Sequence, residues 1–179
     1  YYDTDNYITA QDNLAGISKR SKYRVRWYDN ENKNFNYEIK VKKNNLGEKI
    51  FLKSSETLNN IDQLFSHKNK YLKKEENKFF LNHINFLELK PKLKIIYLRS
   101  YFLYDSKIRI TYDQNINYTL LSKFDLNKNK VNDFMNVIEI KFDPNNADLA
   151  SSLIKDSKFM PKRFSKYLRG LHLSGVANY

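Results

Sequence analysis

The amino-acid sequence predicts an α+β fold in which antiparallel strands dominate. Three observations support this prediction: polar and apolar residues alternate in several segments, turn signals separate these segments, and a few others have apolar residues at helical spacing. The 179 residues are enough to bury one core, so we expect a single domain over residues 1–179. Aromatic residues make up 15% of the chain, which argues for a folded core despite the many charged side chains.

The strand predictions follow the alternating segments in chain order. Alternation is clearest in KYRVRWY at 22–28 and NFNYEIKVKK at 34–43. The sequences Asn44-Asn45-Leu46-Gly47 and Asp105-Ser106 are typical of turns, and each predicts a hairpin between its neighbours. The full set of predicted strands is the end of a strand within 1–9, then 21–29, 34–43, 48–53, 92–104, 106–112 and 136–142.

Four other segments are predicted to be helical. Apolar residues recur at helical spacing after Ser54-Ser55-Glu56, which is a capping sequence. The last predicted helix has Pro161 at its start and Gly170 near its end, as many helices do. The predicted helices cover residues 54–65, 79–87, 147–156 and 161–171.

The chain is strongly basic, with 32 Lys and Arg against 20 Asp and Glu and a formal net charge of +12. Such an excess favours polyanionic partners, although a Lys-rich composition also produces it without any function. Because the sequence has no Cys, disulfides, thiolate zinc sites and cysteine nucleophiles are excluded. No apolar run approaches the roughly 18 residues of a membrane helix and no signal peptide is visible, so we expect a cytoplasmic location.

Arginine is scarce, and its positions are informative for that reason. The sequence contains 25 Lys but only 7 Arg. Four of the seven lie in predicted strands rather than loops, namely Arg24, Arg26, Arg99 and Arg109. A guanidinium grips phosphate through two parallel hydrogen bonds, which an ammonium cannot do, so these four are candidate phosphate ligands.

Charged residues recur at every second position of the predicted strands, so one face of each strand is charged and the other is apolar. Two strands repeat the same mixed pair, Glu38 with Lys40 and Glu139 with Lys141. One interpretation is a sheet whose charged face meets water. The other is a closed barrel with a charged lumen, which needs a ligand such as a polyphosphate with a divalent metal to compensate the buried charge. The repeated pair favours the barrel.

Seven short segments resemble the VTC domain, the catalytic module of polyphosphate polymerases, within the CYTH or triphosphate tunnel metalloenzyme superfamily. The order and spacing of the segments, rather than any one of them, carry the resemblance, and together they span nearly the whole chain. The segments are YYDT at 1–4, KYRVRWY at 22–28, YEIKVK at 37–42, YLRSYF at 97–102, KIRITYD at 107–113, VIEIKF at 137–142 and RFSKYLRG at 163–170.

The resemblance implies a tunnel formed by an antiparallel β-barrel with flanking helices, in which basic residues hold a phosphate chain. Family members begin with a further strand before the YYDT-like segment, so we expect this chain to be N-terminally incomplete and to lack its first strand. The implied cofactor is Mn or Mg, with Glu139 as the metal ligand. The implied catalytic residues are Lys40, Arg99, Arg109 and Lys166, and the implied substrate-binding residues are Arg24, Arg26, Glu38, Lys49, Tyr97, Lys141 and Ser165.

The activity that the resemblance implies is transfer of the γ-phosphoryl group of ATP to a growing polyphosphate chain. Water attacking the same phosphorus would make the protein a triphosphatase instead, and a tunnel without turnover would be a polyphosphate-binding module. The expected partners are a nucleoside triphosphate and polyphosphate, with no specific nucleic acid, and the sequence identifies no membrane partner. Basic, aromatic-rich strands also suit single-stranded nucleic acid, but Glu38 and Glu139 would repel its phosphates unless a metal intervened.

Overall fold

The structure is a computed structural model that describes residues 1–28, 36–43, 46–53, 88–121 and 130–176. The chain divides into two compact units, Tyr1–Leu93 and Lys94–Tyr179. The predicted helices at 54–65 and 79–87 lie outside the described residues, and so do the predicted turn residues Asn44 and Asn45.

The first unit contains a five-stranded antiparallel sheet with the strand order β4-β3-β2-β1-β5. The strands predicted at 21–29, 34–43 and 48–53 are confirmed where the structure describes them, and the last two pair antiparallel as expected; residues 29, 34 and 35 lie outside the described residues. The elements of this unit are β1 (Tyr2–Asp3), α1 (Ile8–Leu14), β2 (Lys19–Arg26), β3 (Asn36–Lys43), β4 (Leu46–Lys53) and β5 (Lys90–Pro91).

The register of this sheet separates its charged and apolar side chains onto opposite faces. Arg24 lies directly opposite Glu38, and Lys40 lies directly opposite Lys49. Because residues opposite each other in an antiparallel pair share a face, all four are on the same side of the sheet. The other side carries the apolar alternation, where Tyr23 and Ile39 are buried. The alternation read from the sequence is therefore correct for β2 and β3.

Helix α1 was not predicted, and its N-terminus explains the Asp of the YYDT segment. The Asp3 carboxylate is fully buried and accepts hydrogen bonds from the backbone N–H groups of Thr9 at 2.9 Å and Ala10 at 3.0 Å, and from the Thr9 hydroxyl at 2.7 Å. These bonds satisfy N–H groups that the first turn of a helix leaves without partners. Gly16, with a φ of 72°, follows the C-terminal end. Capping residues before the helix and a glycine after it were the sequence signals of α1.

The second unit is built around the long strand β7, which pairs with β6, β8 and β9. Asp105 and Ser106 connect β6 to β7 with φ values of 47° and 53°, as in a type I′ hairpin, so the predicted turn is confirmed. The predicted strands at 92–104 and 136–142 and the helix at 147–156 are confirmed as well. The elements are β6 (Leu93–Tyr104), β7 (Ile108–Leu120), β8 (Lys130–Asn132), β9 (Val137–Lys141), α2 (Ala147–Ser157) and α3 (Lys166–Leu173), with a 3₁₀ turn at Pro144–Asn146.

Strands β8 and β9 lie along the same edge of β7 and are separated by a bulge. Arg109 is opposite Lys141, whereas Asn117 is opposite Asn132, so the register shifts by one residue between the two strands. Asn115, with a φ of 53°, lies on the β7 side of the bulge. The predicted strand ended at residue 112 and β8 was not predicted, because the bulge interrupts the two-residue period on which strand prediction depends.

Helix α3 begins at Lys166, so the prediction that it starts with Pro161 was wrong. The N-cap residue before it is Ser165, whose hydroxyl accepts a hydrogen bond from the backbone N–H of Leu168 at 3.5 Å. Ser is among the strongest N-cap residues, and here it overrides the preference of Pro for a first turn. The start of α3 places Lys166 in the first turn of the helix.

An ion pair to a buried carboxylate fixes α3 to the edge of the second sheet. The Arg169 guanidinium donates two hydrogen bonds of 3.2 Å to Asp133, which also accepts one of 3.2 Å from the Tyr118 hydroxyl and one of 3.1 Å from the Met135 N–H. Burial alone would raise the pKa of Asp133, but the bonds from Arg169 and Met135 outweigh it and lower that pKa. Asp133 is held in turn by its own N–H, which donates to the Ile116 carbonyl at 2.8 Å.

Substituting Arg169 should therefore destabilise the second unit. We expect Arg169→Gln to lower the free energy of unfolding by about 2 kcal/mol, less than a fully buried pair would lose, since the Arg169 side chain is 30% exposed. Urea unfolding followed by circular dichroism measures the change. Lys155→Gln, at an exposed cation in the last turn of α2, is the matched control. Equal effects of the two substitutions would show that the Asp133 pair does not anchor the helix.

The α+β class with mainly antiparallel strands is confirmed. Within the described ranges, the strands pair into two open sheets and do not form a closed barrel. The described part of the chain also contains no helix that is long and apolar enough to cross a membrane.

Candidate functional site

The first unit gathers three cations around one buried carboxylate. We call Arg24, Arg26, Glu38 and Lys49 the Glu38 cluster. Arg24 Nε donates to Glu38 Oε2, Lys49 Nζ lies 3.1 Å from Oε1, and Arg26 Nη1 lies 3.8 Å from the same oxygen. The Glu38 side chain is only 3% exposed, so its charge depends on these partners rather than on water. Four predicted site residues from three strands are thereby brought together.

The pKa directions in this cluster reflect an excess of positive charge. Burial would raise the pKa of Glu38, but the charges of Arg24 and Arg26 and the bonds from Arg24 and Lys49 lower it overall. The pKa of Lys49 is lowered, first by burial and then by the two neighbouring guanidinium groups, which Glu38 only partly offsets. Three cations share one carboxylate, so the cluster retains positive charge that an anion would neutralise.

The charged face of the first sheet extends beyond this cluster. Lys40, predicted to be catalytic, is exposed and lies opposite Lys22 on one side and Lys49 on the other. Lys22 was not among the predicted site residues, although its position two before Arg24 in the alternating segment was a sufficient signal. The Phe51 ring lies 4.0 Å from Lys49 Nζ and supplies an aromatic wall beside the cation.

The second unit gathers two cations around another buried carboxylate. We call Tyr97, Arg99, Asp113 and Lys166 the Asp113 cluster. Arg99 donates two hydrogen bonds to Asp113, from Nε at 2.5 Å and from Nη2 at 2.6 Å, and Lys166 Nζ donates to Asp113 Oδ2. The Tyr97 ring lies 5.2 Å from the Arg99 guanidinium and 4.9 Å from Lys166 Nζ. Three predicted residues from β6 and α3 are thus joined by an acid on β7.

Asp113 was not predicted as a site residue, although it organises this cluster. Its side chain is completely buried. Burial would raise its pKa, but hydrogen bonds from Arg99 and Lys166 lower it, and the bond to Asp113 raises the pKa of Arg99 in turn. The sequence signal was its position four residues after Arg109 on the same strand face.

Three further predicted residues lie along the same face of the second sheet. Glu139 and Lys141 are adjacent on that face of β9, with Lys141 Nζ 3.2 Å from Glu139 Oε1, and Arg109 is directly opposite Lys141. Their side chains are more accessible than the Asp113 cluster, with 44% of Glu139 and 52% of Lys141 exposed. Ser165, the remaining predicted residue, accepts the N-cap hydrogen bond of α3 and so positions Lys166.

The two buried carboxylates should make the fold acid-sensitive. The pKa values of Glu38 and Asp113 are lower in the folded state than the ordinary values of about 4.3 and 3.9. Their ion pairs therefore contribute stability above those ordinary values and lose it as the pH falls through the lowered folded pKa values. We expect the melting temperature to fall steeply below about pH 4, and less steeply in Glu38→Gln/Asp113→Asn.

Thermal unfolding at a series of pH values tests this expectation. Asp105→Asn, at an acid that is 58% exposed in the β6–β7 turn, is the control and should leave the slope unchanged. If the double variant and the wild type lose stability in parallel, acids other than these two control the transition.

A family model of the VTC domain matches residues 1–174 of this chain. The chain therefore belongs to the VTC domain family, and the resemblance read from the sequence is confirmed. A comparison with curated proteins gives no match. Membership of the family is consistent with a polyphosphate-related function and suggests an enzyme of the phosphotransferase type.

Proposed function

We propose that this protein is a metal-dependent polyphosphate polymerase, which transfers the γ-phosphoryl group of ATP to a growing polyphosphate chain. The observation that carries the proposal is the Asp113 cluster, where an Arg fork and a Lys are already oriented beside each other. A phosphate group offers oxygens in the same geometry as a carboxylate, so cations arranged to hold Asp113 are suitably arranged to hold phosphate. The family match over residues 1–174 supports this choice of anion.

The charge balance of the two clusters supports a polyanionic ligand. The Glu38 cluster contains three cations for one carboxylate, and the Asp113 cluster contains two for one. Because each cluster keeps a surplus of positive charge, it would attract a chain of phosphates. The enclosed tunnel that the resemblance implies stays a prediction and is part of this proposal.

The catalytic contribution of these residues is positioning and charge neutralisation rather than covalent chemistry. In phosphoryl transfer, charge is spread over the equatorial oxygens of the transferred group, and cations aimed at those oxygens lower the barrier. Arg99 and Lys166 would hold the transferred group, and Arg109 and Lys141 would bind neighbouring phosphates. Lys40 and the Glu38 cluster would bind further phosphate groups on their own sheet.

The metal that the family implies would be held by Glu139 on β9. Within the described ranges, no group of three His, Asp or Glu side chains is close enough to form a metal cage. Mg²⁺ and Mn²⁺ need none here, because such ions are commonly held by one or two carboxylates together with substrate phosphates. Glu139 is accessible, so a hard oxygen ligand is present. A metal bound there would neutralise phosphate oxygens.

The test is incubation of the full chain with ATP and Mn²⁺, followed by gel electrophoresis that resolves long polyphosphate. Polymer that forms only with metal and nucleotide supports the proposal. Release of inorganic phosphate without polymer would make the protein a triphosphatase, and tight polyphosphate binding without any product would make it a binding module. Either result would overturn polymerase activity while keeping the phosphate site.

The proposed ligand is polyphosphate rather than nucleic acid, and this choice has its own test. Nuclease-treated protein should bind a short polyphosphate and should not bind single-stranded DNA at the same ionic strength. The buried acids favour this result, since Glu38 and Asp113 lie among the cations and would repel the phosphates of a nucleic acid unless a metal intervened. Equal affinity for both polymers would show that binding depends on charge alone.

A further inference from the structure

Thr111 on β7 has a buried hydroxyl that no other described residue satisfies. The residue is 9% exposed, and its Oγ1 has no hydrogen-bond partner among the described residues. Buried hydroxyls in folded proteins are nearly always hydrogen-bonded, because a polar group that is removed from water and left unpaired lowers stability. Valine has the shape of threonine without this cost and is equally common in strands, so packing alone does not explain a threonine at this position.

The position of Thr111 connects the hydroxyl to the candidate site. Thr111 is directly opposite Glu139 in the β7–β9 register, so their Cβ atoms are about 5 Å apart on the same face. Two residues before it on that face is Arg109, and two residues after it is Asp113. The unpartnered hydroxyl therefore lies in the middle of the charged face, between the Asp113 cluster and the Glu139–Lys141 pair.

The neighbouring carboxylates are already engaged with other donors. Asp113 is held by Arg99 and Lys166, and Glu139 is paired with Lys141. A ligand for Thr111 must therefore bring its own acceptor into a face that carries several cations. Phosphate oxygens meet both conditions, because they accept strong hydrogen bonds and carry the charge that Arg109 and Lys141 attract.

We propose that the Thr111 hydroxyl is a phosphate ligand that donates a hydrogen bond to an oxygen of the phosphate chain bound on this face. This inference rests on the proposed function and deepens it, because it adds a neutral donor to a site otherwise composed of ions. A hydrogen bond from a neutral donor is directional and adds no charge, so it fixes where one phosphate lies between the flanking cations. Among the described residues the hydroxyl has no partner, and a bound phosphate chain would supply one.

The inference predicts opposite changes in stability and in binding when the hydroxyl is removed. Thr111→Val should raise the melting temperature of the ligand-free protein, since an unpaired buried hydroxyl is lost. The same variant should bind inorganic tripolyphosphate about tenfold more weakly, as expected for loss of a charge-assisted hydrogen bond. Thr111→Ser keeps the hydroxyl and should bind within about twofold of the wild type. Titration calorimetry in the presence of Mn²⁺ measures binding, and thermal unfolding measures stability.

Ser174, at the C-terminal end of α3, provides the matched control. Its Oγ is also buried and without a partner among the described residues, but Ser174 follows α3 and does not belong to the charged strands. Ser174→Ala should change stability without changing tripolyphosphate binding. Wild-type affinity in Thr111→Val would overturn the inference. Equal weakening of binding in Thr111→Val and Thr111→Ser would overturn it as well, because the change in side-chain shape, rather than loss of the hydroxyl, would then be the cause. If the wild type bound no tripolyphosphate, the proposed function would fail and this inference with it.

Discussion

Arg99→Ala is expected to reduce nucleotide-dependent polyphosphate synthesis by about a hundredfold or more, the range seen when one donor to a developing charge is removed. Arg99 supplies the only guanidinium fork in the Asp113 cluster, with bonds of 2.5 and 2.6 Å to the carboxylate. Without it, Lys166 alone faces Asp113, so the surplus positive charge of the cluster disappears. Phosphate would then meet a neutral pair rather than a cationic site.

Two further variants separate charge from geometry at this position. Arg99→Lys keeps the charge but offers no planar fork, so we expect intermediate activity. Lys107→Ala removes an exposed cation at the β6–β7 turn, where it pairs with Asp105 at 3.3 Å, and should leave activity unchanged. Product formation is measured by gel in initial-rate conditions, with folding checked by circular dichroism. Full activity of a folded Arg99→Ala protein would remove Arg99 from the site.

The sequence was most informative where the two-residue period of a strand is unbroken. In β2 and β3 the alternation of Arg24, Arg26, Glu38 and Lys40 with apolar residues correctly assigned each residue to a face. Local rules suffice there, because a regular strand fixes the side on which each side chain lies. The hairpin between β6 and β7 was also predictable from a local rule, since Asp and Ser tolerate the positive φ values that the turn requires.

The sequence was less informative where long-range pairing decides the structure. Asp113 is organised by Arg99 from β6 and Lys166 from α3, and no local pattern states that these three residues meet. The start of α3 was also misplaced, because a Ser cap competes with Pro161 and only the fold shows which one wins. The bulge beside Asn115 hid the continuation of β7 for a related reason, since it breaks the period on which strand prediction depends.

In both basic clusters a buried acid orients the surrounding cations. Cations placed close together without a ligand repel each other and turn towards water. Glu38 and Asp113 prevent this by holding Arg24, Lys49, Arg99 and Lys166 in fixed orientations within the fold. Since the groups are oriented before any ligand arrives, less ordering is needed when phosphate binds. On this view each acid stabilises the empty site and also limits its affinity for anions.

Asp113→Asn should therefore separate three properties that usually change together. The unfolding free energy of the ligand-free protein should fall by about 3 kcal/mol, because Arg99 and Lys166 lose their buried counter-charge. Tripolyphosphate binding should become about fivefold tighter at low salt and more salt-dependent, since the cluster gains one unit of positive charge. Turnover should nevertheless fall, because the two cations are no longer held in one orientation for the transferred group.

Calorimetric titration at two salt concentrations, denaturant unfolding and initial rates of polymer formation measure these three properties in the same preparation. Asp105→Asn, which removes an exposed acid that pairs with Lys107, is the control and should change none of them. Weaker binding together with lower stability would mean that Asp113 only supports the fold, because a local collapse reduces both. Tighter binding with slower turnover would mean that the Asp113 carboxylate has two roles. It would occupy the place of a phosphate, and it would orient Arg99 and Lys166 for the phosphate that replaces it. Only an acid with both roles produces changes of opposite sign in binding and in turnover.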